Sequence, residues 1–350
     1  MAEQTKQPTD PRVGSPKLPS KSPTDSPHTA LPPVEVRDDN DADSSLGDGD
    51  DTFSSTASVS SSIFDYRTIK GRTYHSERYN SSYYAPNDER QNASVDITHH
   101  YLTLLLEGKL FLAPIKNPQK VIDIGTGTGI WALDFGDEFP AAEVIGTDLS
   151  PTQPQWVPPN VRFEIDDATQ PWTWSDASFD FVHLRYLFGA VADWPGLFRE
   201  AFRTLQPGGW IESAEVEVDF VSDDGTVDPD SALALWGRMC AKTGEKIGRP
   251  FTVLTGNVQK TGLEAAGFAD IQSVDYKLPV GGWPRDPKLA EIGRYVQLTL
   301  ENDLEGKGPP LWLYLPTTDG NRLLDLHVEQ RAWVAGRRVP NLPDAHPAGA

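Results

Sequence analysis

Residues 121–129 read Val-Ile-Asp-Ile-Gly-Thr-Gly-Thr-Gly, a short apolar run with an embedded acid followed by glycines at every second position. Glycines so spaced allow a tight strand-to-helix turn and let a ligand lie against bare backbone. Such a turn sits at the carboxyl edge of a parallel sheet, at the point where strand order reverses. Two ligand classes use this geometry. A dinucleotide needs Gly-x-Gly-x-x-Gly/Ala so that its diphosphate can rest on the helix N-terminus. Here the third position of that pattern is Ile130, and Trp131 follows. Asp123, beside the first glycine, repels a diphosphate and attracts an ammonium or sulfonium group. The turn therefore suits a cationic amino-acid ligand.

Further acids fall where a nucleoside would need them. Thr147-Asp148-Leu149 closes the next apolar run, and a carboxylate at Asp148 can accept both ribose hydroxyls, as it also could in a dinucleotide site. Glu164 to Ala168 closes the run after that. Asp167, with Asp166 as the alternative, can accept from an adenine amino group, and Ala168 can offer its backbone. His183 ends a fourth run. If the acceptor is a hydroxyl, a base contributes roughly 10²–10⁴-fold, and His183 and His75 are the candidates, with Glu212 behind them. Arg185 could select an anionic acceptor, and Tyr74 and His75 could form a lid. Each has a plainer reading: Asp148 as a turn cap, His183 as a satisfied strand-end histidine, Tyr74 and His75 as packing. Trp172 and Trp174 read as core or rim. No catalytic residue and no metal ligand set is identified.

These residues need elements to hold them. Strands are expected at 120–124, 143–147, 161–165, 179–183, 210–220, 268–278 and 331–338. Helices are expected from Asp96 to Leu106, Gly129 to Glu138, Trp194 to Leu205, Ser231 to Lys246, Leu254 to Ala266 and Pro287 to Leu304. Strands alternating with helical patterns imply an α/β fold, a mostly parallel sheet with helices on both faces. Residues 63–115 read as an aromatic-rich N-terminal cap with its helix, and 116–340 as the main domain, with an irregular insert near 280–326. Residues 341–350 read as a flexible end.

Composition bounds the rest. The chain has 350 residues, 31 Lys and Arg against 51 Asp and Glu, and a formal charge of −20. Residues 1–60 hold 5 basic and 11 acidic residues, or −6, leaving −20 + 6 = −14 for the remainder. With Ser, Thr, Pro, Asp and Gly dominating, the stretch to residue 62 cannot bury enough apolar surface to offset ordering entropy, so a disordered acidic tail is expected. The acidic balance disfavours direct nucleic-acid binding. A lone cysteine, Cys240, cannot form an internal disulfide, and no apolar run approaches the roughly 18 residues of a membrane span. A cytoplasmic or nuclear protein without membrane attachment is expected.

Taken together the motifs resemble class I S-adenosylmethionine-dependent methyltransferases, and more narrowly the fungal LaeA-like methyltransferase family. The resemblance covers roughly residues 64–340. It runs through Gly71-Arg-Thr-Tyr-His75, Tyr84-Ala-Pro-Asn-Asp-Glu89, His99-His100, Gly108-Lys-Leu-Phe-Leu-Ala-Pro114, Asp123 to Trp131, Asp193-Trp194-Pro195 and Gly336-Arg-Arg. It implies a Rossmann-like, doubly wound, seven-stranded sheet with an antiparallel last strand, and S-adenosyl-L-methionine as cofactor. By this resemblance Asp123, Gly125, Thr126, Gly127 and Gly129 hold the methionine part, Asp148 and Leu149 the ribose and an adenine edge, and Asp166, Asp167 and Ala168 the adenine, with His183 beside the sulfonium. Ser94-Val95 stands where members usually have Arg-Leu, and the stretch before the last strand is short. The first expectation is methylation of a small molecule in fungal secondary metabolism. The alternative is a nuclear regulatory subunit acting through protein partners. An NAD-dependent oxidoreductase is disfavoured by Ile130.

Overall fold

Alternation decides the layering. In Lys120–Ile124, Val121 packs with Phe181 and Trp131 on one side, while Ile122 and Ile124 pack with Val182 and Leu184 on the other. A strand apolar on both faces must be covered by helices twice. That is the arrangement in the computed structural model, which describes residues 64–76, 83–304, 306 and 326–338. The tail expected over 1–62, residues 307–325 of the expected insert and the end expected at 341–350 lie outside the described residues.

A hairpin of β1 (Arg67–Ile69) and β2 (Arg72–Tyr74) precedes α1 (Glu89–Leu105). There follow β3 (Lys120–Ile124), α2 (Ile130–Glu138), β4 (Glu143–Asp148), β5 (Val161–Ile165), β6 (Phe179–Arg185), α3 (Trp194–Thr204) and β7 (Leu205–Val216). The chain continues through β8 (Val221–Ser222), α4 (Ala232–Ile247), α5 (Val258–Ala266), β9 (Ala269–Pro279), α6 (Pro287–Asn302) and β10 (Leu326–Gly336). The sheet order is β5-β4-β3-β6-β7-β10-β9; β3 to β7 run parallel, and β10 is antiparallel to both neighbours. This is the expected doubly wound sheet with an antiparallel last strand. The two-residue β8 adds an eighth strand, pairing with the start of β10 on β7's side.

Several boundaries differ from expectation, each for a local reason. Helix α1 starts at Glu89 rather than Asp96, because the Asp88 carboxylate caps it by accepting from Gln91 N at 3.1 Å. Its first turn is polar (Glu89-Arg-Gln-Asn92), so apolar periodicity is silent there. Strand β7 starts at Leu205 rather than Trp210. Pairing with β6 slips between Phe179 and Phe181, and Pro207, which lacks an N–H, is tolerated at that irregularity.

The hairpin and the two helices α1 and α6 are tied by charge. Arg72 pairs with Asp88 and, at 2.7 Å, with the fully buried Asp303 that follows α6. Removing one partner of such a buried set leaves the other uncompensated, which is strongly destabilising.

Candidate functional site

The glycine turn after β3 is left-handed at Gly125, Gly127 and Gly129, with φ of 70°, 59° and 82°, a region costly for residues with a Cβ. The three do different work. A Cβ at Gly125 would come within 2.6 Å of Leu187, and one at Gly129 would drive into the Phe163 ring. Gly129 is the N-cap of α2 and packs against β5. A Cβ at Gly127 would meet only Val95, at an ordinary contact distance of 3.4 Å, and the Gly127 N–H donates to Asp148 Oδ2 at 2.9 Å.

Above this turn lies a cleft enclosing about 1220 Å³, its open mouth included. Its lining includes Asp123, Gly125, Thr126, Gly127, Asp148, Leu149, Asp166, Asp167, Ala168, His183 and Arg185. Gly129 is the expected donor-site residue that the lining omits. The charged groups of the wall are four carboxylates, Asp123, Asp148, Asp166 and Asp167, against one guanidinium, Arg185. This set repels a diphosphate and draws a cation.

The carboxylates are held by hydrogen bonds from their own loops and from neighbouring strand ends. Asp148 accepts from Gly127 N and, at 3.0 Å, from Ser150 N, yet burial pushes its pKa up to about 6. Asp167 Oδ1 accepts from the N–H and hydroxyl of Thr169 at 3.0 and 2.7 Å, and Asp166 Oδ1 accepts from Asp167 N. Asp123 accepts from Thr126 Oγ1 and from His183 Nδ1, each at 2.6 Å. The His183 ring lies flat on Trp131, centroids 3.8 Å apart. Burial lowers the pKa of His183 despite the carboxylate, leaving a neutral ring whose Nδ1–H donates to Asp123.

Asp123, His183 and Glu212 stand abreast across β3, β6 and β7. Glu212 Oε2 accepts from Leu112 and Ala113 N, at 2.7 and 2.8 Å, with a pKa raised by burial to about 7. It braces a loop and does not line the cleft. Glu215, raised by burial to about 8, accepts from Leu187 and Phe188 N at 2.9 and 3.0 Å and fixes the loop after β6.

Of the acceptor-side candidates, Arg185 lines the cleft, whereas Tyr74 and His75 do not. His75 is 1% exposed; its Nε2 accepts from Arg67 and its Nδ1–H donates to Ser76 O, at 3.0 and 2.9 Å. It stands behind Tyr83, which together with Tyr84 does face the cleft. Sequence reasoning missed Gln91, Val95 and Thr98 of α1, which share the wall. Their spacing of four and three residues along one helix face was the available signal, hidden because the helix start was placed too late. Tyr186 and Phe188 were missed as well, having no local motif. Gln91 Oε1 is buried and without a partner among the described residues.

A family profile described as a methyltransferase domain matches residues 97–273. Methyltransferase pytC of Aspergillus terreus is 42% identical over 278 residues, spanning 79% of this chain and 83% of that protein. The secondary metabolism regulator LAE1 of Cochliobolus heterostrophus is 39% identical over 241 residues, 67% of this chain and 78% of that one. Protein-methionine methyltransferase laeA of Emericella nidulans is 32% identical over 259 residues, 73% of this chain and 68% of that one.

Proposed function

The chain belongs to the methyltransferase-domain family, its cofactor is S-adenosylmethionine, and we propose that it methylates a small molecule of secondary metabolism in the cleft above the glycine turn. The donor set fits the cofactor. Asp148 keeps carboxylate lone pairs for the two ribose hydroxyls beyond its backbone bonds. Asp167, with Asp166 and Ala168, takes the adenine. Gln91 Oε1, an unpartnered buried acceptor, takes an N–H of the amino-acid ammonium at the glycine turn. The Asp123 charge, with both oxygens already engaged, favours the cation through its field. The observation that carries this reading is the excess of carboxylates in the wall, four against one guanidinium.

Bound S-adenosylmethionine supplies a methyl group already activated by a positively charged sulfur. The residues of the cleft therefore work by holding: they fix donor and acceptor in line, which is worth about 7–11 kcal/mol in favourable cases. Tyr83, Tyr84, Tyr186 and Phe188 close the site with apolar surface and exclude water. His183 is the base candidate that reaches the cleft; its Nδ1–H is committed to Asp123, which leaves Nε2 to take a proton. Calorimetric titration with S-adenosylhomocysteine and with NADH tests the donor site. Binding of the first and not the second is expected, and the reverse would reject the reading.

The likeness to LAE1 and laeA supports a second role, as a regulatory subunit with protein partners. Affinity isolation of the tagged chain from its native cells separates the two. Stoichiometric co-purifying proteins favour the regulator, and an unaccompanied chain favours the free enzyme.

A further inference from the structure

Arg185 ends β6 beside the glycine turn. Leu184 pairs in register with Ile124 of β3, so Arg185 stands level with Gly125. It follows His183 by two residues and therefore shares its face of the sheet. Helix α1 crosses the same turn. A Cβ at Gly127 would meet Val95, the Thr128 hydroxyl donates to Asp96 Oδ1 at 2.7 Å, and His99, one helical turn after Val95, reaches Arg185.

The guanidinium is held from the side away from the cleft. Its Nη2 donates to His99 Nδ1 at 3.3 Å, and His99 Nε2 lies 2.8 Å from Asp134 Oδ2 of α2. A guanidinium can only donate, so His99 accepts at Nδ1 and carries its proton on Nε2, which it gives to Asp134. His99 is buried; Asp134 is exposed and lies outside the cleft lining. Side chains from α2, α1 and β6 thus form one line of bonds that ends in the cleft. One N–H of Arg185 is used in it. No nitrogen of the group is among the buried atoms without a partner, so the remaining N–H groups open onto the cleft that Arg185 lines. Asp123 and Glu212 act on the charge through space. Arg185 therefore does not lack counter-charge; what it offers a ligand is free donors.

Charge decides what those donors meet. S-adenosylmethionine carries an α-carboxylate besides its sulfonium and ammonium. The two cations suit a wall with four carboxylates, but the carboxylate is repelled by that wall except at its one guanidinium. An ionised group withdrawn from water needs a partner. Three amides of the glycine turn are already spent, Thr126 N on Thr147 O, Gly127 N on Asp148 and Gly129 N on Thr126 O. Arg185 is the charged donor beside them. We propose, on the donor reading above, that Arg185 takes the α-carboxylate of S-adenosylmethionine and that His99 and Asp134 are positioning residues that aim it. The arginine expected to select an anionic acceptor then serves the cofactor, and the donor site reaches beyond the cleft lining to α2. Two N–H groups on two carboxylate oxygens also fix orientation, and so help set the direction in which sulfur presents its methyl group.

The test is calorimetric titration of the full chain with S-adenosylhomocysteine and with its decarboxylated analogue, which keeps nucleoside, thioether and ammonium and lacks only the carboxylate. The native chain is expected to bind S-adenosylhomocysteine at least about tenfold more tightly than the analogue, the scale of a charge-assisted bidentate pair. Arg185→Gln is expected to erase that preference by weakening S-adenosylhomocysteine alone. Arg185→Lys, a milder change that keeps the charge but not the fork, is expected to reduce it to about threefold. Asp134→Ala should weaken S-adenosylhomocysteine by about threefold and leave the analogue unchanged. Asp134→Asn, which keeps an oxygen for His99 Nε2–H, should restore the native value. A merely structural role would move both ligands together. Equal affinity of the native chain for the two ligands would overturn the proposal. So would a preference undiminished in the Arg185 variants, or an equal loss of both ligands in them. If the native chain binds neither ligand, the donor reading itself falls.

Discussion

The proposed donor end of the cleft is built from successive strand ends, β3, β4 and β5, each followed within a few residues by an acid or glycine that lines the cleft. The proposed acceptor end gathers Tyr84 of the cap with Tyr186 and Phe188 after the end of β6, far apart in the chain. At the donor end part of the fixing is local, Asp148 by Ser150 and Asp167 by Thr169, while Gly127 reaches Asp148 and His183 reaches Asp123 from other segments. At the acceptor end the ties are long-range, Glu215 to Leu187 and Tyr186 to Gln330. A locally fixed site tolerates drift elsewhere in the fold, whereas one held by distant contacts can vary its pocket with little change to the cofactor grip.

The strongest challenge to this contrast is Gly129→Ala. It places a Cβ in the Phe163 ring at a left-handed position and should cost about 3 kcal/mol of stability, read as a lowered Tm. Because Gly129 does not line the cleft, affinity for S-adenosylhomocysteine below the transition should hold. A large affinity loss would return Gly129 to the ligand site. Asp148→Ala should weaken S-adenosylhomocysteine by about 1–3 kcal/mol, roughly tenfold to a hundredfold, by leaving the ribose hydroxyls unpaired. Unchanged calorimetric affinity would remove Asp148 from the donor end.

Protonation separates the two ends further. Glu215 is raised from 4.5 to about 8 by burial, so the folded chain holds a proton that the unfolded chain releases. Its contribution is present below pH 4.5 and is lost as pH rises toward 8, on the order of 1–2 kcal/mol after allowance for relaxation. Glu215→Gln should therefore flatten the decline of Tm between pH 5 and 8, and parallel curves for the two proteins would refute this. Asp148, at about 6, should act oppositely on ligand binding, since hydroxyl donors prefer the carboxylate. S-adenosylhomocysteine affinity is expected to fall by about tenfold per unit below pH 6 at most. The smallest effect belongs to Tyr74→Phe, which should change that affinity by less than about twofold, as expected of a residue off the cleft.

Much of the donor end was legible in the sequence because its chemistry is local. The apolar run before Gly125, the acids at 148 and 167 and the strand–helix alternation are short-range patterns, and the structure brings these residues into one wall. Gly129 matched the motif yet serves packing, since Phe163, which needs its missing Cβ, comes from a different strand. Tyr74 and His75 looked like a lid because aromatics cluster there, but the hairpin turns them aside and Tyr83 and Tyr84 take the wall.

What the sequence determined alone was the α/β layering and the donor turn, because strand periodicity and left-handed glycines are properties of neighbouring residues. Only the tertiary structure decided that Gln91 looks into the cleft, that Arg185 makes no ion pair with a carboxylate among the described residues and that Tyr186 borders two cavities. Each of those depends on which side chains from distant segments come close enough to bond, and on which do not.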